Sequence, residues 1–196
     1  IPVGTTYTVT ETNADGLIAN YTLDTTASTT SGTATIAKDT EAVIALTNKY
    51  TQDVGSLKIT KTFEGTPADA DLSGLSFTIN DGTTETTVTY ADFTDGAYTI
   101  ANIPVGTTYT VTETNADGLI TNYTLDTTAS TTSGTAIIAK DTEAVIALTN
   151  SYTPELTSAT VKKTWDDKDN QDGKRPEALT VTLSDGTKVE LKEGNS

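Results

Sequence analysis

Three polar residues lie on strand faces that are otherwise apolar: Lys61, Glu113 and Asn150. Side chains along a β-strand alternate between its two faces. The apolar residues that share these faces are Leu57, Ile59 and Phe63 for the lysine, Tyr109 and Val111 for the glutamate, and Ile146 and Leu148 for the asparagine. Because an unpartnered buried polar group is costly, the sequence predicts one reactive set in the core.

These three residue types can form an amide bond between two side chains. Burial favours the neutral forms of the lysine amine and the glutamic acid. The neutral amine is a nucleophile that can attack the side-chain carbonyl carbon of Asn150. The acid of Glu113 can polarise that carbonyl and move protons while ammonia leaves. The predicted product is a Lys61–Asn150 isopeptide bond, made once and without turnover.

Lys58 is an alternative nucleophile on the same strand. Strand parity turns it to solvent and favours Lys61, but a β-bulge would exchange the two faces. Simpler interpretations also exist for each residue of the set. Lys61 would extend its ammonium into water, Glu113 would be a solvated strand end, and Asn150 would be a turn residue that bonds backbone.

The chain repeats itself with an offset of 102 residues. Residues 1–51 return as 103–153 with three changes, in which Thr121, Ile137 and Ser151 stand in place of Ala19, Thr35 and Lys49. Glu11 and Asn48 are therefore the copies of Glu113 and Asn150. An offset of this length is typical of one small domain, and near-identical repeats are typical of stalks and filaments.

The repeat predicts three segments cut from a tandem array. Residues 1–51 are the C-terminal half of one module, 52–153 a complete module, and 154–196 the N-terminal part of a third module of a different subtype. Seven of the 12 basic residues lie in the last segment. The expected linkers, Tyr50–Gly55 and Thr153–Glu155, are short, which predicts modules placed end to end with limited freedom.

Period-two alternation of threonine, valine, isoleucine and tyrosine predicts β-strands throughout. In the complete module we expect strands near Ser56–Phe63, Leu75–Asn80, Thr86–Phe93, Ala97–Ile103, Thr108–Thr114, Asn122–Thr128, Thr135–Ala139 and Ala144–Tyr152. Turns are expected at Asn80–Gly82, Thr94–Gly96, Asp117–Gly118 and Ser133–Gly134. In the last segment, strands are expected near Ala159–Trp165, Ala178–Leu183 and Lys188–Lys192. The pattern predicts an all-β, immunoglobulin-like sandwich.

Composition excludes several classes of function. The chain has no cysteine, histidine or methionine, so it has no disulfide, no thiolate and no imidazole base. Its net charge of −15 disfavours nucleic acid and anionic membranes. No apolar run approaches the length of a membrane span. Asp167, Asp169 and Asp172 lack the glycine and glutamate of a calcium loop, so we predict neither a metal site nor a cofactor.

Three stretches, in order and at domain spacing, carry a resemblance to a known family: LKITK at Leu57–Lys61, NIPVGTTYTVTE at Asn102–Glu113 and ALTN at Ala147–Asn150. The module resembles the Cna-B-type immunoglobulin-like domains of Gram-positive surface proteins, in particular the C-terminal domain of streptococcal backbone pilins. The resemblance implies an intramolecular Lys–Asn bond, with Lys61 as nucleophile, Glu113 as catalytic acid and Asn150 as acceptor. Glu11 and Asn48 occupy the same roles in the first segment.

The segment Val161–Pro176 resembles the opening of Cna-B repeats in collagen-adhesin-like stalks, which implies that Lys163 is its bond-forming lysine. Truncation of a longer chain is the favoured interpretation of the partial modules. The alternative is a head-to-tail filament in which Lys163 of one copy reaches Asn48 of the next. Lys38 and Lys140 are candidates for joining subunits, by exposure alone.

The predicted function is a structural module of a pilus or adhesin stalk, extracellular and anchored to the cell wall. Its expected partners are neighbouring domains or pilus subunits. The alternative is an adhesin domain that binds a host or matrix ligand through its end loops. No residue pattern supports an enzyme with turnover.

Overall fold

The structure, a computed structural model, describes residues 1–192. The chain divides into two compact units, the first from Ile1 to Glu155 and the second beginning at Leu156. The last four residues of the predicted third module, 193–196, lie outside the described residues.

Four strands precede the predicted complete module and pair only two by two. Antiparallel pairing joins the first strand to the third and the second to the fourth. The strands are β1 (Thr6–Thr10), β2 (Tyr21–Leu23), β3 (Ser31–Thr35) and β4 (Tyr50–Gln52). Most of their side chains are exposed or only half-buried.

Residues 54–154 form two four-stranded sheets with a shared core. The eight strands are β5 (Val54–Glu64), β6 (Ser76–Asn80), β7 (Glu85–Thr89), β8 (Ala97–Pro104), β9 (Thr108–Glu113), β10 (Tyr123–Leu125), β11 (Ser133–Ile137) and β12 (Glu143–Pro154). One sheet has the order β10-β12-β5-β8 and the other β11-β9-β6-β7. The inward-facing residues of both sheets, among them Leu57, Ile59, Phe77, Val111 and Leu148, form one hydrophobic cluster. The prediction of an all-β immunoglobulin-like sandwich is confirmed.

The first and last strands of the sandwich, β5 and β12, are parallel neighbours. Their register runs from Ser56 opposite Glu143 to Glu64 opposite Ser151. The other strand pairs of the described sheets are antiparallel. The two ends of the module are thus joined side by side, although about ninety residues of chain separate them.

Several expectations for the complete module differ from the structure, and the strand expected at Asn122–Thr128 is only Tyr123–Leu125. Gly134 lies inside β11 rather than in a turn, and a Cβ atom built on it would come 2.7 Å from Cγ2 of Ile146. Glycine at this position therefore lets Ile146 pack closely against the strand, and such close approach is a common reason for glycine inside a strand. The strand expected at Thr86–Phe93 ends at Thr89, where Asp92 accepts bonds from the Thr89 backbone and hydroxyl and caps a 3-10 helix, Tyr90–Asp92.

The segment between the first four strands and the sandwich is shorter than expected. β4 ends at Gln52 and β5 begins at Val54, so Asp53 alone separates the two strands. At the other end of the sandwich, β12 continues to Pro154.

The second unit contains an antiparallel hairpin of β13 (Ala178–Thr182) and β14 (Lys188–Lys192). The strand predicted at Ala159–Trp165 is wrong, because these residues have no regular structure and are exposed. In the sandwich, the corresponding strand β5 is paired on both sides, by β12 and β8. Residues 159–165 have no such partner strands among the described residues, and unpaired backbone groups do not hold a strand.

Candidate crosslink site

Lys61 lies in the C-terminal half of β5 and faces the core. The residues of β5 alternate between buried and half-buried positions through this region, so Lys61 follows the face of Leu57 and Ile59. Lys61 is 4% exposed, and its side chain is fully enclosed. A sheet strand with this alternation presents every second side chain to the interior, whatever the polarity of that side chain.

Glu113 meets Lys61 from the opposite sheet. It is the last residue of β9, where it pairs in register with Phe77 of β6. Its Oε1 lies 2.7 Å from Nζ of Lys61, and neither side chain is exposed. The three polar atoms of this pair have no further hydrogen-bond partner among the described residues.

Asn150 lies on β12, directly beside the lysine strand. The parallel register places Leu148 opposite Lys61, so Asn150 is two residues further along the same face. Diagonal neighbours of this kind are within reach of a long side chain. Asn150 is fully buried, and its Oδ1 accepts no hydrogen bond in the described structure. The site therefore combines an amine, an acid and an unsatisfied amide carbonyl in the core.

Tyr152 is a fourth member of the site that the sequence analysis missed. Its hydroxyl donates to the backbone oxygen of Ala116 at 2.8 Å and accepts a bond from Nδ2 of Asn150 at 3.4 Å. Burial raises the pKa of the Tyr152 hydroxyl, which therefore stays protonated. The available signal was spacing, because Tyr152 follows Asn150 by two residues on the same strand face.

Burial lowers the pKa of the Lys61 amine below its usual value of 10.5, against the opposing effect of Glu113. The Phe63 ring contributes to the apolar wall, with its centroid 4.9 Å from Nζ. Such surroundings disfavour separated charges. Moving one proton from the ammonium to the carboxylate produces a neutral amine and a neutral acid, which is the state needed for nucleophilic attack.

The structure separates Lys58 from the site. The Lys58 side chain is 39% exposed and lies 3.8 Å from Glu143. The β5–β8 register shifts between Gly55 and Leu57, before either lysine. The irregularity therefore leaves the faces of Lys58 and Lys61 as strand parity predicts.

The copies in the first segment are not brought to a lysine. Glu11 and Asn48 are each only half-buried, and one oxygen of each is buried without a hydrogen-bond partner. Lys163 is exposed in the second unit, where Nζ donates to the backbone oxygen of Thr164 and lies 4.2 Å from the Trp165 ring centroid. Among residues 1–192, only the set in the sandwich combines a buried lysine, a buried glutamate and a buried asparagine.

The acidic loop near Asp167 is organised by an arginine. Arg175 donates from Nε to Asp167 at 2.8 Å, which holds the pKa of that carboxyl below its usual value. No group of three or more potential metal-ligating side chains occurs in the described part of the chain. Within the same residues, no helix has the length and apolar character needed to cross a membrane.

Two family models match the chain. The model described as a domain of unknown function, DUF5979, matches residues 1–51 and 57–153. The model of the Cna protein B-type domain matches residues 159–196. The first covers about three-quarters of the sequence.

Adhesins and a pilin are among the proteins similar to this chain. The chain is 34% identical over 158 residues to a collagen adhesin of Staphylococcus aureus, which covers 77% of this chain but only 12% of that protein. A solved B repeat unit of the collagen-binding surface protein of the same species is 28% identical, with a TM-score of 0.29 and 73% of each chain covered. A minor pilin of Streptococcus agalactiae is 14% identical, with a TM-score of 0.37 and coverage of 80% and 84%.

The match to the first model extends over both copies of the repeat, and the match to the second begins just after the sandwich. The chain therefore belongs to the DUF5979 family, and its C-terminal segment matches the model of the Cna protein B-type domain.

Proposed function

We propose that this chain is a load-bearing segment of an extracellular stalk. In this proposal the sandwich forms an intramolecular crosslink, a Lys61–Asn150 isopeptide bond. The observation that carries the proposal is the enclosed contact of 2.7 Å between Lys61 and Glu113, beside the fully buried amide of Asn150. An amine, an acid and an amide carbonyl enclosed in one core match the reactants and the catalyst of amide exchange.

The reaction balances without a cofactor. Glu113 takes one proton from Lys61, and the neutral Nζ attacks Cγ of Asn150. The protonated acid donates a hydrogen bond to Oδ1, the carbonyl oxygen that has no other partner in the described structure. Glu113 then transfers a proton to Nδ2, the C–N bond of the amide breaks, and ammonia leaves. The new Nζ–Cγ bond replaces the broken bond, and Glu113 regains the proton lost by the lysine nitrogen.

The bond would change how the module carries tension. Force enters the sandwich at β5 and leaves at β12, the two parallel neighbours. A bridge from Lys61 to Asn150 transfers load directly between these strands, so the chain between the two residues is shielded. The same bridge closes a loop of about ninety residues, for which loop-closure entropy predicts a stabilisation of about 4–5 kcal/mol.

The relatives support a surface location. They are adhesins and pilins of bacterial surfaces, and we infer an extracellular place for this chain, with cell-wall anchoring as a further proposal. Because the chain spans only 12% of the collagen adhesin, the partners of the whole protein are also proposals. Pilus subunits and neighbouring domains are favoured, while a host or matrix ligand stays an alternative.

Intact-mass measurement tests the proposal. The purified chain should be lighter than its sequence by one ammonia molecule, and peptide mapping should recover a branched peptide that joins Lys61 to Asn150. Lys61→Ala and Glu113→Gln should restore the full mass. Their matched controls, Lys58→Ala and Glu11→Gln, should keep the deficit. A wild-type chain of full expected mass would refute the crosslink.

A further inference from the structure

The junction between the first four strands and the sandwich is built around Asp53. Its backbone nitrogen donates to the oxygen of Asn20 at 2.8 Å, and its backbone oxygen accepts from Val105 at 3.0 Å. Asn20 belongs to the first copy of the repeat and Val105 to the sandwich. One residue therefore carries hydrogen bonds to both sides of the junction.

The side chain of Asp53 also contacts both sides. Its carboxylate lies 3.0 Å from Nζ of Lys140, a sandwich residue, and accepts a hydrogen bond from the hydroxyl of Thr22. Lys140 donates to the same hydroxyl. The Asp53 side chain is only 13% exposed, whereas the Lys140 side chain is 48% exposed, so the carboxylate is enclosed while the ammonium remains accessible to solvent and salt.

Both charges are maintained over a wide pH range. The Thr22 hydroxyl and Lys140 hold the pKa of Asp53 below its usual value of 3.8. Asp53 raises the pKa of Lys140 above its usual 10.5, and the nearby carboxylates of Asp141 and Asp15 act in the same direction. The contact should therefore be intact throughout the range between these two values.

The acid and the threonine of this contact recur one module later in the chain, without the lysine. Glu155 stands 102 residues after Asp53, beyond the point at which the near-identical repeat ends. Its backbone nitrogen donates to the oxygen of Asn122 at 2.8 Å, and its carboxylate accepts from Thr124 at 3.3 Å. Asn122 and Thr124 are the copies of Asn20 and Thr22. The C-terminal end of the sandwich thus presents the same pairing of acid and threonine.

We propose that the contact of Lys140, Asp53 and Thr22 is a docking site that sets the angle between successive modules of this type. The partner of the lysine is the C-terminal end of another such module, which presents an acid beside a threonine. Lys140 is therefore a residue of the interface between modules, rather than one of the free lysines that exposure alone suggested for joining subunits. The contact does not depend on the isopeptide bond.

The distance between two spin labels tests this docking site in the full chain. The chain has no cysteine, so Thr33→Cys and Thr87→Cys would be the only labelled positions, one on each side of the junction. Both residues are exposed. The otherwise unmodified chain should give one narrow distance distribution, because the two parts are held at one angle.

Lys140→Gln should lose the narrow peak and broaden the distribution, because the enclosed Asp53 carboxylate loses its cation. Lys38→Gln is the matched control, since Lys38 is the exposed copy of Lys140 and makes no ion pair within the described residues; it should leave the peak unchanged. Exchanging the charges with Asp53→Lys and Lys140→Glu should restore a narrow peak.

Salt provides a second measurement that needs no change at the junction. At about 1 M salt the screening length falls to about 3 Å, and the peak should broaden toward that of Lys140→Gln. A distribution unchanged by both salt and Lys140→Gln would overturn the proposal. Because the mass of each variant is measured independently, loss of the docking site and loss of the crosslink are distinguishable.

Discussion

Residues 41–49 and 143–151 have the same sequence except at their last position, yet only the second copy is a strand. Residues 143–151 lie within β12, between β5 and β10, whereas 41–49 are irregular apart from an isolated bridge at Thr47. Ile146, Leu148 and Asn150 are almost fully buried, and their copies are only half-buried. The difference follows from β5, the parallel partner, which has no counterpart beside residues 41–49.

The antiparallel strand pairs within residues 1–52 and their counterparts 102 residues later are both present. β1 and β3 pair in the same register as β9 and β11, and β2 with β4 in the same register as β10 with the end of β12. These antiparallel pairs join residues close in sequence. The parallel pairing of β5 with β12 requires residues from opposite ends of a module, and it alone brings Lys61 beside Asn150. The site therefore depends on completing the sandwich.

The largest effect should come from completing the first module. Placing a copy of residues 52–102 before Ile1 supplies the missing strands and a second lysine. We expect residues 41–49 to gain amide protection in hydrogen exchange, and the chain to lose a second ammonia in intact-mass measurement. The same addition with alanine at the position of Lys61 should give the protection without the second loss. Rapid exchange of 41–49 in both chains would contradict the explanation.

The next largest effect should be a difference in stability between variants of the two copies of the asparagine. Asn150→Ala should lower the free energy of unfolding by about 4–5 kcal/mol, because the loop closed by the crosslink is opened. Asn48→Ala should change stability little, because Asn48 has no lysine beside it. Denaturant titration with mass measurement checks both variants. Equal losses would show that the asparagines act through ordinary packing.

Glycine substitutions compare the packing of the two copies. In both, a built Cβ would approach the Cγ2 of the isoleucine above it, at 2.7 Å for Gly134 and 2.6 Å for Gly32. Gly134→Ala should cost about 1–3 kcal/mol, because Ile146 is enclosed and cannot shift freely. Gly32→Ala should cost less, since Ile44 is half-exposed. Thermal unfolding measures the difference, and similar costs would mean that both sites are equally rigid.

The smallest effect should come from the tyrosine beside the asparagine. Tyr152→Phe should cost about 1 kcal/mol, the net value of one hydrogen bond, and should slow ammonia loss because Nδ2 of Asn150 loses its acceptor. Tyr50→Phe also removes a bond, from the hydroxyl to Ala14 at 2.7 Å, but should leave the mass deficit unchanged. A time course of intact mass on the freshly synthesised chain would detect the slower step, because the bond, once formed, survives unfolding; an unaltered rate would exclude Tyr152 from positioning the amide.

Much of the fold was predictable because the alternation of side chains along a strand depends only on residues that are neighbours in the sequence. Parity alone placed Lys61, Glu113 and Asn150 on inward faces, where the structure has them. Tyr152 was missed because its inward position reads equally well as ordinary core. The sequence does not distinguish Gly134 from a turn residue, since a serine followed by glycine occurs both in loops and in tightly packed strands.

Local alternation and turn residues fix which side chains share a face, where most turns fall and where the repeat begins again. Whether a segment with those properties becomes a strand, and whether its polar residues meet, depends on the tertiary fold. The physical reason is that alternation is a property of neighbouring residues, whereas the hydrogen-bond partners of β12 come from β5, at the other end of the module. Identical residues without that partner remain half-exposed and have no lysine beside them.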